Sequence, residues 1–350
     1  MTPLETIIRR QIATDGPMSL HDYMAICLSH PQHGYYITRD PLGSGGDFTT
    51  APEVSQMFGE LVGLCLAQAW MDQGCPAPFR LVELGPGRGT LMADALRATK
   101  AVPGFHAAAD LWLVETSPTL RREQDRRLPV RPNWADRLEQ VPAGALFLIA
   151  NEFFDALPIH QYVMRKGQWR ERVVGLNNED ALTLGIGKAA PHWRPAPEAA
   201  VHERCPAGTA IAAEIGTRIA RDGGAGVLVD YGYDHTTPEG ADTFQALRNH
   251  AYVDPLATPG EADLTAHVDF PALAEAAPCQ ASQITPQGTW LAHLGIGARA
   301  QGLLRAHPDQ AQKIADALHR LTDASQMGTL FKAMALFPKG APPPPGFEER

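Results

Sequence analysis

The amino-acid sequence predicts an α/β protein whose mostly parallel sheet is covered by helices on both faces. Three observations support this prediction: near-continuous apolar runs, helical segments that alternate with them, and a glycine turn between the first run and its helix. The strand candidates are 79–84, 110–116, 145–151 and 225–232, with a last strand at 329–337. No helix follows that last strand, so it can enter the sheet antiparallel.

The composition favours a soluble enzyme. The 350 residues are 44% hydrophobic and 20% charged, with a formal net charge of −9 and dispersed Lys and Arg, which disfavours a nucleic-acid partner. Five scattered cysteines without a CxxC pair indicate a reducing compartment, with no disulfide framework and no structural zinc. No apolar run reaches transmembrane length and residues 1–20 lack a secretory core, so we expect a cytoplasmic protein without membrane insertion.

Residues 1–75 are predicted to form a mainly helical region that packs on the core. Ser19–Asp22 and Thr50–Glu53 both have the spacing of an N-terminal capping box. Between them lies the long segment "HGYYITRDPLGSGGDFTTAPE", residues 33–53. Loops of this length in compact domains are usually functional or disordered, and the paired tyrosines and the "GGDF" turn favour a functional loop.

The remaining chain divides into a core domain, an insertion and a tail. The core domain is predicted at residues 76–340. Within it, residues 157–205 break the alternation of strands and helices with a period-two pattern around Lys166-Gly167. This pattern predicts a β-hairpin insertion that covers the ligand crevice. The segment "APPPPGFEER", residues 341–350, is predicted to be a flexible, solvated tail.

Polar residues end each of the four internal strands. They are Glu83, Glu115, Asn151 with Glu152, and Asp230. In an open α/β sheet the ligand crevice lies beyond the carboxyl ends of the strands. We therefore expect these four strand ends to converge on one site.

The glycine turn "LVELGPGRGTLMADALR" favours S-adenosylmethionine (SAM) over a dinucleotide. Gly85, Gly87 and Gly89 give G-x-G-x-G rather than the G-x-G-x-x-G of pyrophosphate sites, and Glu83 precedes them. A dinucleotide gains nothing from a carboxylate near its phosphates, whereas SAM offers an ammonium group that Glu83 can hold. Glu115 is then placed to accept the ribose hydroxyls. A turn that serves only as a tight connection is the alternative, and a nicotinamide oxidoreductase is disfavoured.

Six stretches together resemble one known family. They are "GGDFTTAPEVSQMFGELVG", "LVELGPGRGTLMADALR", "LVETSPTLRREQ", "ANEFFDALPIHQY", "VDYGY" and "PGEADLTAHVDF". They are similar to the MidA family of class I SAM-dependent methyltransferases, which is related to the mitochondrial protein arginine methyltransferase that assists complex I assembly. The resemblance runs from about residue 4 to residue 338. It implies a Rossmann-like seven-stranded sheet with an antiparallel last strand, SAM as methyl donor, and an arginine of a respiratory complex I subunit as substrate in a bacterial member.

The resemblance also implies roles for individual residues. The cofactor residues would be Glu83, Gly85, Gly87 and Gly89 along the methionine part of SAM, Glu115 at the ribose, Asp136 near the adenine, and Asn151 at the end of the strand 145–151. The segment "NEFFDALP" stands where amino-group methyltransferases keep their substrate-facing residues.

Methyl transfer to a guanidinium predicts additional acids. The reaction is an in-line displacement that needs no metal, and carboxylates can fix the guanidinium plane through paired hydrogen bonds. Glu152 and Asp155 are the leading pair, and Asp47 of the long loop is a third candidate. Asp155 can instead cap the turn before Leu157-Pro158, and Asp47 can merely stabilise its own loop.

The His267-x-Asp269 pair in "ADLTAHVDF" lacks a third metal ligand nearby, so a packing or capping role is favoured over metal binding.

For the enzyme as a whole, the leading hypothesis is a protein arginine methyltransferase. The alternatives are a catalytically weak SAM-binding assembly factor and a small-molecule methyltransferase. The sequence does not identify the methylated target, the number of methyl groups or the oligomeric state.

Overall fold

The computed structural model describes residues 1–38, 49–190, 196–235 and 242–350 of the chain. The chain forms two compact units, each built from three segments. The first unit comprises Met1–Phe48, Asp155–Gly208 and His235–Asp269, and the second comprises Thr49–Phe154, Thr209–Asp234 and Phe270–Arg350.

Helices occur in all four described ranges of the chain. The α-helices are α1 Pro3–Asp15, α2 Leu20–Ser29, α3 Tyr35–Thr38, α4 Ala51–Val54, α5 Gln56–Asp72, α6 Thr90–Thr99, α7 Phe105–Ala108, α8 Pro118–Arg127, α9 Pro206–Asp222, α10 Phe270–Ala276, α11 Gln287–His293, α12 Ile296–Ala306, α13 Ala311–Thr322 and α14 Met327–Leu330. Short 3₁₀ helices occupy Leu138–Gln140 and Pro308–Gln310. Within the described ranges, no helix combines the length and apolar character needed to span a bilayer.

The strands are shorter on average than the helices. They are β1 Met18–Ser19, β2 Phe79–Leu84, β3 Ala109–Val114, β4 Asn133–Ala135, β5 Leu146–Asn151, β6 His160–Arg165, β7 Gln168–Leu176, β8 Leu182–Ala189, β9 Val201–Arg204, β10 Gly224–Tyr233, β11 Gln245–Arg248, β12 Ala251–Val253, β13 Asp263–Thr265, β14 Val268–Asp269, β15 Gln280–Ala281, β16 Thr285–Pro286 and β17 Phe331–Phe337.

The central sheet of the second unit contains the strand order β15-β17-β10-β5-β2-β3-β4, and β16 also pairs with β17 beside this path. The strands from β10 to β4 pair in parallel, and β17 pairs antiparallel with β10. This confirms the predicted α/β class and its antiparallel last strand. The chain goes from β2 outward through β3 and β4, then returns to β5 on the other side of β2. The order of the strands therefore reverses between β2 and β5, which is where α/β sheets open a ligand crevice.

Helix α5 belongs to the second unit, although the sequence placed it with an N-terminal helical region. The reason is its close packing against α6. A Cβ atom added at Gly63 of α5 would lie 2.6 Å from the Cα atom of Ala95 in α6, so only glycine permits this approach. The core of the second unit includes Phe58, Phe79 and Phe147, which are completely buried.

The first unit contains two antiparallel sheets and the helices α1 to α3. Its larger sheet has the order β1-β7-β6-β9, with β8 paired to β7. The hairpin of β6 and β7 turns at Lys166 and Gly167, whose φ angles are 51° and 74°. Two positive φ angles in a two-residue turn match the twist of the strands that it joins, and the predicted hairpin is confirmed. Its position over a ligand crevice stays a prediction.

The two predicted capping boxes have different outcomes. The Ser19 side chain accepts a hydrogen bond from the Asp22 N–H at 3.0 Å and caps α2, as predicted. The Thr50 side chain makes no capping bond to α4. Instead, α4 ends after one turn, and the Ser55 hydroxyl accepts a hydrogen bond from the Met57 N–H at 3.2 Å to begin α5. The helix therefore begins one turn later than the sequence indicated.

The C-terminal segment 341–350 is not a solvated tail. The Phe347 side chain is 7% exposed and stacks on Trp290 with ring centroids 5.3 Å apart. The Gln283 N–H donates to the Glu348 carbonyl at 2.9 Å. The prediction of a flexible tail was wrong because the proline run carries one large aromatic residue, which is buried against Trp290.

Candidate active site

The glycine turn joins β2 to α6 through three residues in the left-handed region. The φ angles of Gly85, Gly87 and Gly89 are 59°, 52° and 77°. A Cβ atom at Gly85 would lie 2.8 Å from the Cδ2 atom of Phe153, so a side chain at this position would clash. Gly89 is the N-cap residue of α6. The turn therefore exposes backbone rather than side chains to whatever lies beyond the sheet.

Glu83, near the end of β2, is a buried carboxylic acid with an unsatisfied oxygen. The residue is 3% exposed, and its Oε2 atom has no hydrogen-bond partner among the described residues. Burial raises the pKa of Glu83 to about 8, and a hydrogen bond from the Met92 backbone in α6 lowers it in part. An unpartnered buried carboxylate oxygen is a site for a cation or a hydrogen-bond donor.

Glu115 follows β3 and is held by its own turn. Its Oε1 atom accepts a hydrogen bond from the Ser117 N–H at 2.7 Å, and its Oε2 atom lies 3.4 Å from the Gln124 Nε2 atom. Burial raises the pKa of Glu115, and these hydrogen bonds lower it in part. The carboxylate therefore lies at the same edge of the sheet as the glycine turn, one strand away from Glu83.

Gln124 is a site residue that the sequence analysis missed. It is completely buried, and its Nε2 atom donates to the Gly87 carbonyl at 2.7 Å while its Oε1 atom accepts from the Trp134 indole at 2.8 Å. It thus ties the glycine turn to β4. One sequence signal could have identified it. Gln124 follows Leu120 by four residues, which places both side chains on one face of α8, a helix that is otherwise highly charged.

Asp136 lies just beyond β4, at the edge of this region. Its Oδ1 atom accepts a hydrogen bond from Arg121 at 2.7 Å, and its side chain is 62% exposed. Arg121 also donates from Nε to the Glu115 carbonyl at 2.8 Å. The structure therefore links Asp136 to Glu115 through Arg121, and its contact with an adenine stays a prediction.

Asn151 and Glu152 end β5, on the other side of the strand reversal. The Oε1 atom of Glu152 accepts hydrogen bonds from the Ala51 N–H at 2.8 Å and from the Asn151 Nδ2 atom at 3.1 Å. Because a carboxylate only accepts, this bond assigns Nδ2 of Asn151 to the Glu152 side. The Oδ1 atom of Asn151 is buried and has no hydrogen-bond partner in the described part of the chain.

The turn after β5 is anchored by Asp230 of β10. The Oδ2 atom of Asp230 accepts hydrogen bonds from the N–H groups of Phe153 at 3.1 Å and Phe154 at 2.9 Å. Asp230 was predicted to lie at a strand end, and this was wrong because β10 continues to Tyr233; Asp230 lies inside the strand and contacts the turn that follows β5. Phe153, whose ring lies against Gly85, was missed by the sequence analysis.

The two other predicted catalytic acids have different positions. Asp155 belongs to the first unit, is 7% exposed, and accepts the Ala266 N–H with its carbonyl at 3.0 Å. In that unit the Tyr36 hydroxyl donates to Asp263 at 2.9 Å. Burial raises the pKa of Tyr36, and the nearby charges of Asp263 and Asp155 raise it further. Asp47 lies outside the described residues. The catalytic roles of Asp155 and Asp47 stay predictions.

The His267-x-Asp269 pair has a simpler local setting. The His267 N–H donates to the Thr243 hydroxyl at 2.9 Å, and burial lowers the pKa of the His267 imidazole. Among the residues that the structure describes, no group of three His, Cys, Asp or Glu side chains could hold a metal ion.

The residues present fit SAM. The unsatisfied Glu83 oxygen suits the ammonium group, and the glycine turn beside it presents backbone rather than side chains. Glu115 offers acceptors one strand away, where a ribose would extend. When bound, SAM supplies an electrophilic methyl group on its sulfonium. A sheet of this topology with acids at the ends of β2, β3 and β5 defines a class I SAM-dependent methyltransferase.

Comparisons with known proteins agree with this class. Residues 61–289 match the sequence model of a family of S-adenosyl-L-methionine-dependent methyltransferases. The curated relatives include the mitochondrial protein arginine methyltransferase NDUFAF7 of Homo sapiens, 35% identical over 97% of this chain and 84% of its own length. The homologue of Drosophila melanogaster is 36% identical over 95% of this chain and 84% of its own length.

Solved structures agree as well. A crystal structure of a Burkholderia thailandensis protein bound to S-adenosyl-homocysteine has a TM-score of 0.83 and 26% identity, and the match covers 98% of this chain and 93% of that one. A native crystal structure from the same organism has a TM-score of 0.80 and 28% identity, over 97% of this chain and 92% of that one. The chain belongs to the family of SAM-dependent methyltransferases that its sequence matches, and the resemblance to the MidA family is confirmed. Its cofactor is SAM.

Proposed function

We propose that this methyltransferase modifies an arginine side chain of a protein substrate. The observation that carries the proposal is the buried, unpartnered Oδ1 atom of Asn151 beside the Glu152 carboxylate. A guanidinium carries five N–H donors and no acceptor. The Asn151 oxygen and the Glu152 carboxylate at the end of β5 are acceptors that match these donors. The curated relatives of this chain are named protein arginine methyltransferases, which supports the same substrate.

In this proposal, the residues of the chain orient the guanidinium for methyl transfer. The Glu152 carboxylate accepts hydrogen bonds from the guanidinium, fixes its plane and localises the lone pair on the attacking nitrogen. The same carboxylate is an acceptor for the proton that this nitrogen releases. Asn151 was expected from the resemblance to bind the cofactor; in this proposal its Oδ1 atom instead accepts a second N–H group of the guanidinium. The attacking nitrogen is then held in one orientation toward the cofactor turn.

We propose further that the substrate is a respiratory complex I subunit that is methylated during assembly. The motif resemblance to the MidA family supports this identity.

We also propose that the protein acts in the cytoplasm. The sequence supports this proposal, because its five cysteines are scattered and include no CxxC pair, as is usual in a reducing compartment.

The test is the transfer of labelled methyl from SAM into a lysate of cells that lack this gene. We expect wild-type protein to label a protein band at arginine. Glu152→Gln should lower the initial rate by roughly 10²-fold while the Kd for SAM stays unchanged, because an amide does not accept at both positions. Glu139→Gln, an exposed glutamate of the same unit, is the matched control and should keep the wild-type rate.

The other outcomes contradict parts of the proposal. Label recovered only in small molecules would make the protein a small-molecule methyltransferase. SAM binding without any labelled product would favour the SAM-binding assembly factor. A wild-type rate for Glu152→Gln would remove Glu152 from the mechanism.

A further inference from the structure

We propose that Asp230 is a positioning residue, which holds the turn Glu152–Phe154 and through it the Glu152 carboxylate in the geometry for methyl transfer. The inference rests on the role of Glu152 proposed above. Asp230 lies in β10, directly after Val229, which pairs with Asn151 at the end of β5. The residue is 1% exposed, so its carboxylate is buried where β5 ends.

The strand β10 captures three consecutive backbone N–H groups of this turn. The Glu152 N–H donates to the Val229 carbonyl at 2.9 Å, and the next two N–H groups donate to the Oδ2 atom of Asp230. The Oδ1 atom of Asp230 accepts the Tyr231 N–H at 2.9 Å. Both oxygens of one buried carboxylate therefore accept backbone hydrogen bonds, which are strong because the acceptor is charged.

The turn needs such an anchor because its backbone conformation is unusual. The φ angle of Glu152 is 49°, a left-handed conformation that a residue with a Cβ atom rarely adopts. Conformations of this kind persist where surrounding contacts over-determine them, and they cluster at functional sites. Here the fixed hydrogen bonds from β10 supply those contacts.

The anchored turn connects the two sides of the active site. Its first residue, Glu152, directs its carboxylate to Asn151 and to the Ala51 N–H. Its second residue, Phe153, lies against Gly85 of the cofactor turn. Asp230 thus sets the position of the substrate-facing acid relative to the glycine turn, through the backbone of the turn between them.

The test compares Asp230→Asn with wild type and with a matched control. Asparagine keeps the size of the side chain but places an NH₂ group where one of the oxygens accepted a backbone N–H. We expect the initial rate of methyl transfer into lysate protein to fall by roughly 10²-fold, with the Kd for SAM within about threefold of wild type. Glu60→Gln is the control: Glu60 is a buried acid paired with Arg97 and Arg299, remote from the turn in sequence, and its loss should lower stability without this loss of rate.

Two further readouts separate positioning from general destabilisation. Hydrogen exchange of the Phe153 and Phe154 amides in SAM-free protein should be at least about tenfold faster in Asp230→Asn, with the amides of Leu148 and Val227 unchanged. In protein that already carries Glu152→Asp, adding Asp230→Asn should reduce the rate of methyl transfer by a much smaller factor than it does in wild type. The two effects overlap because both changes disturb the same carboxylate.

An unchanged rate in Asp230→Asn, unchanged exchange at Phe153 and Phe154, or equal rate losses in both backgrounds would each overturn the inference. A wild-type rate for Glu152→Asp would instead contradict the proposed role of Glu152. The exchange measurement would then still decide whether Asp230 holds the turn.

Discussion

At the scale of single residues, two buried acids of the second unit show how local partners divide their roles. Burial raises the pKa of Glu83 to about 8, and its Oε2 atom has no hydrogen-bond partner among the described residues. Asp230 is as deeply buried, but both of its oxygens accept backbone N–H groups. The first carboxyl group gains a great deal from a cationic ligand, whereas the second already has its donors.

Glu83 predicts a pH dependence of SAM binding. Below pH 8 the free carboxyl group is mostly protonated and neutral, and binding of the ammonium group requires its ionised form. Between pH 5.5 and pH 7.0 the Kd should therefore decrease as pH rises, approaching roughly tenfold per pH unit. Isothermal titration calorimetry should also detect about one proton released per SAM bound in this range.

The matched variant for this measurement is Glu83→Gln, which cannot ionise. Its Kd for SAM should be higher than that of wild type and nearly constant over the same pH range. A wild-type Kd that does not change with pH would show that the Glu83 proton is not displaced on binding.

The sequence predicted the polar residues at the strand ends but not their partners. Glu83, Glu115, Asn151 and Glu152 follow apolar runs, and the ends of parallel strands must meet at one edge. The roles of Gln124 and Asp230 depend on contacts with residues 37 and 77 positions away, respectively. Such contacts exist only after the sheet has formed, so a local pattern does not contain them.

At the scale of elements, the boundary of α5 shows where a local pattern misled. The capping-box spacing indicated Thr50 as the cap, but Ser55, five residues later, also has a side chain that can cap a helix. The structure begins a single-turn helix after Thr50 and the long helix after Ser55. The hairpin of β6 and β7 was predicted correctly, because its Lys-Gly turn restricts the register within two residues.

Substitutions at the two candidate caps should have unequal effects. Ser55→Ala removes the hydroxyl that accepts the Met57 N–H and should lower the free energy of unfolding by about 1 kcal/mol. Thr50→Ala removes a side chain without a capping bond and should change it by less than about 0.5 kcal/mol. Urea unfolding followed by circular dichroism measures both, and equal effects would contradict this assignment of the cap.

At the scale of the whole molecule, distant parts of the sequence complete each core. The second unit joins the helices before β2 to the C-terminal segment, where Phe347 packs on Trp290. The Cys65 thiol of α5 also donates to the Pro345 carbonyl at 3.5 Å. The last residues of the chain therefore contribute to the core that supports the cofactor turn.

Removal of the Phe347 side chain should consequently destabilise the second unit. Phe347→Ala should lower the free energy of unfolding by about 3 kcal/mol, since a buried aromatic ring is lost and a cavity forms beside Trp290. The change in tryptophan fluorescence during urea unfolding reports this directly. Arg350→Ala, an exposed change in the same segment, is the control and should have little effect. Equal stability of the two variants would indicate that the segment is solvated after all.

The division of the chain into alternating segments also affects its biosynthesis. The first unit needs residues 1–48, 155–208 and 235–269 together, and the polypeptide passes between the two units five times. On the ribosome, the N-terminal helices must wait for roughly one hundred further residues before their partners emerge, about 5 to 20 s at ordinary elongation rates. Their apolar faces stay uncovered during this time. Translation rate and chaperone supply should therefore limit the yield of this enzyme more than its final stability does.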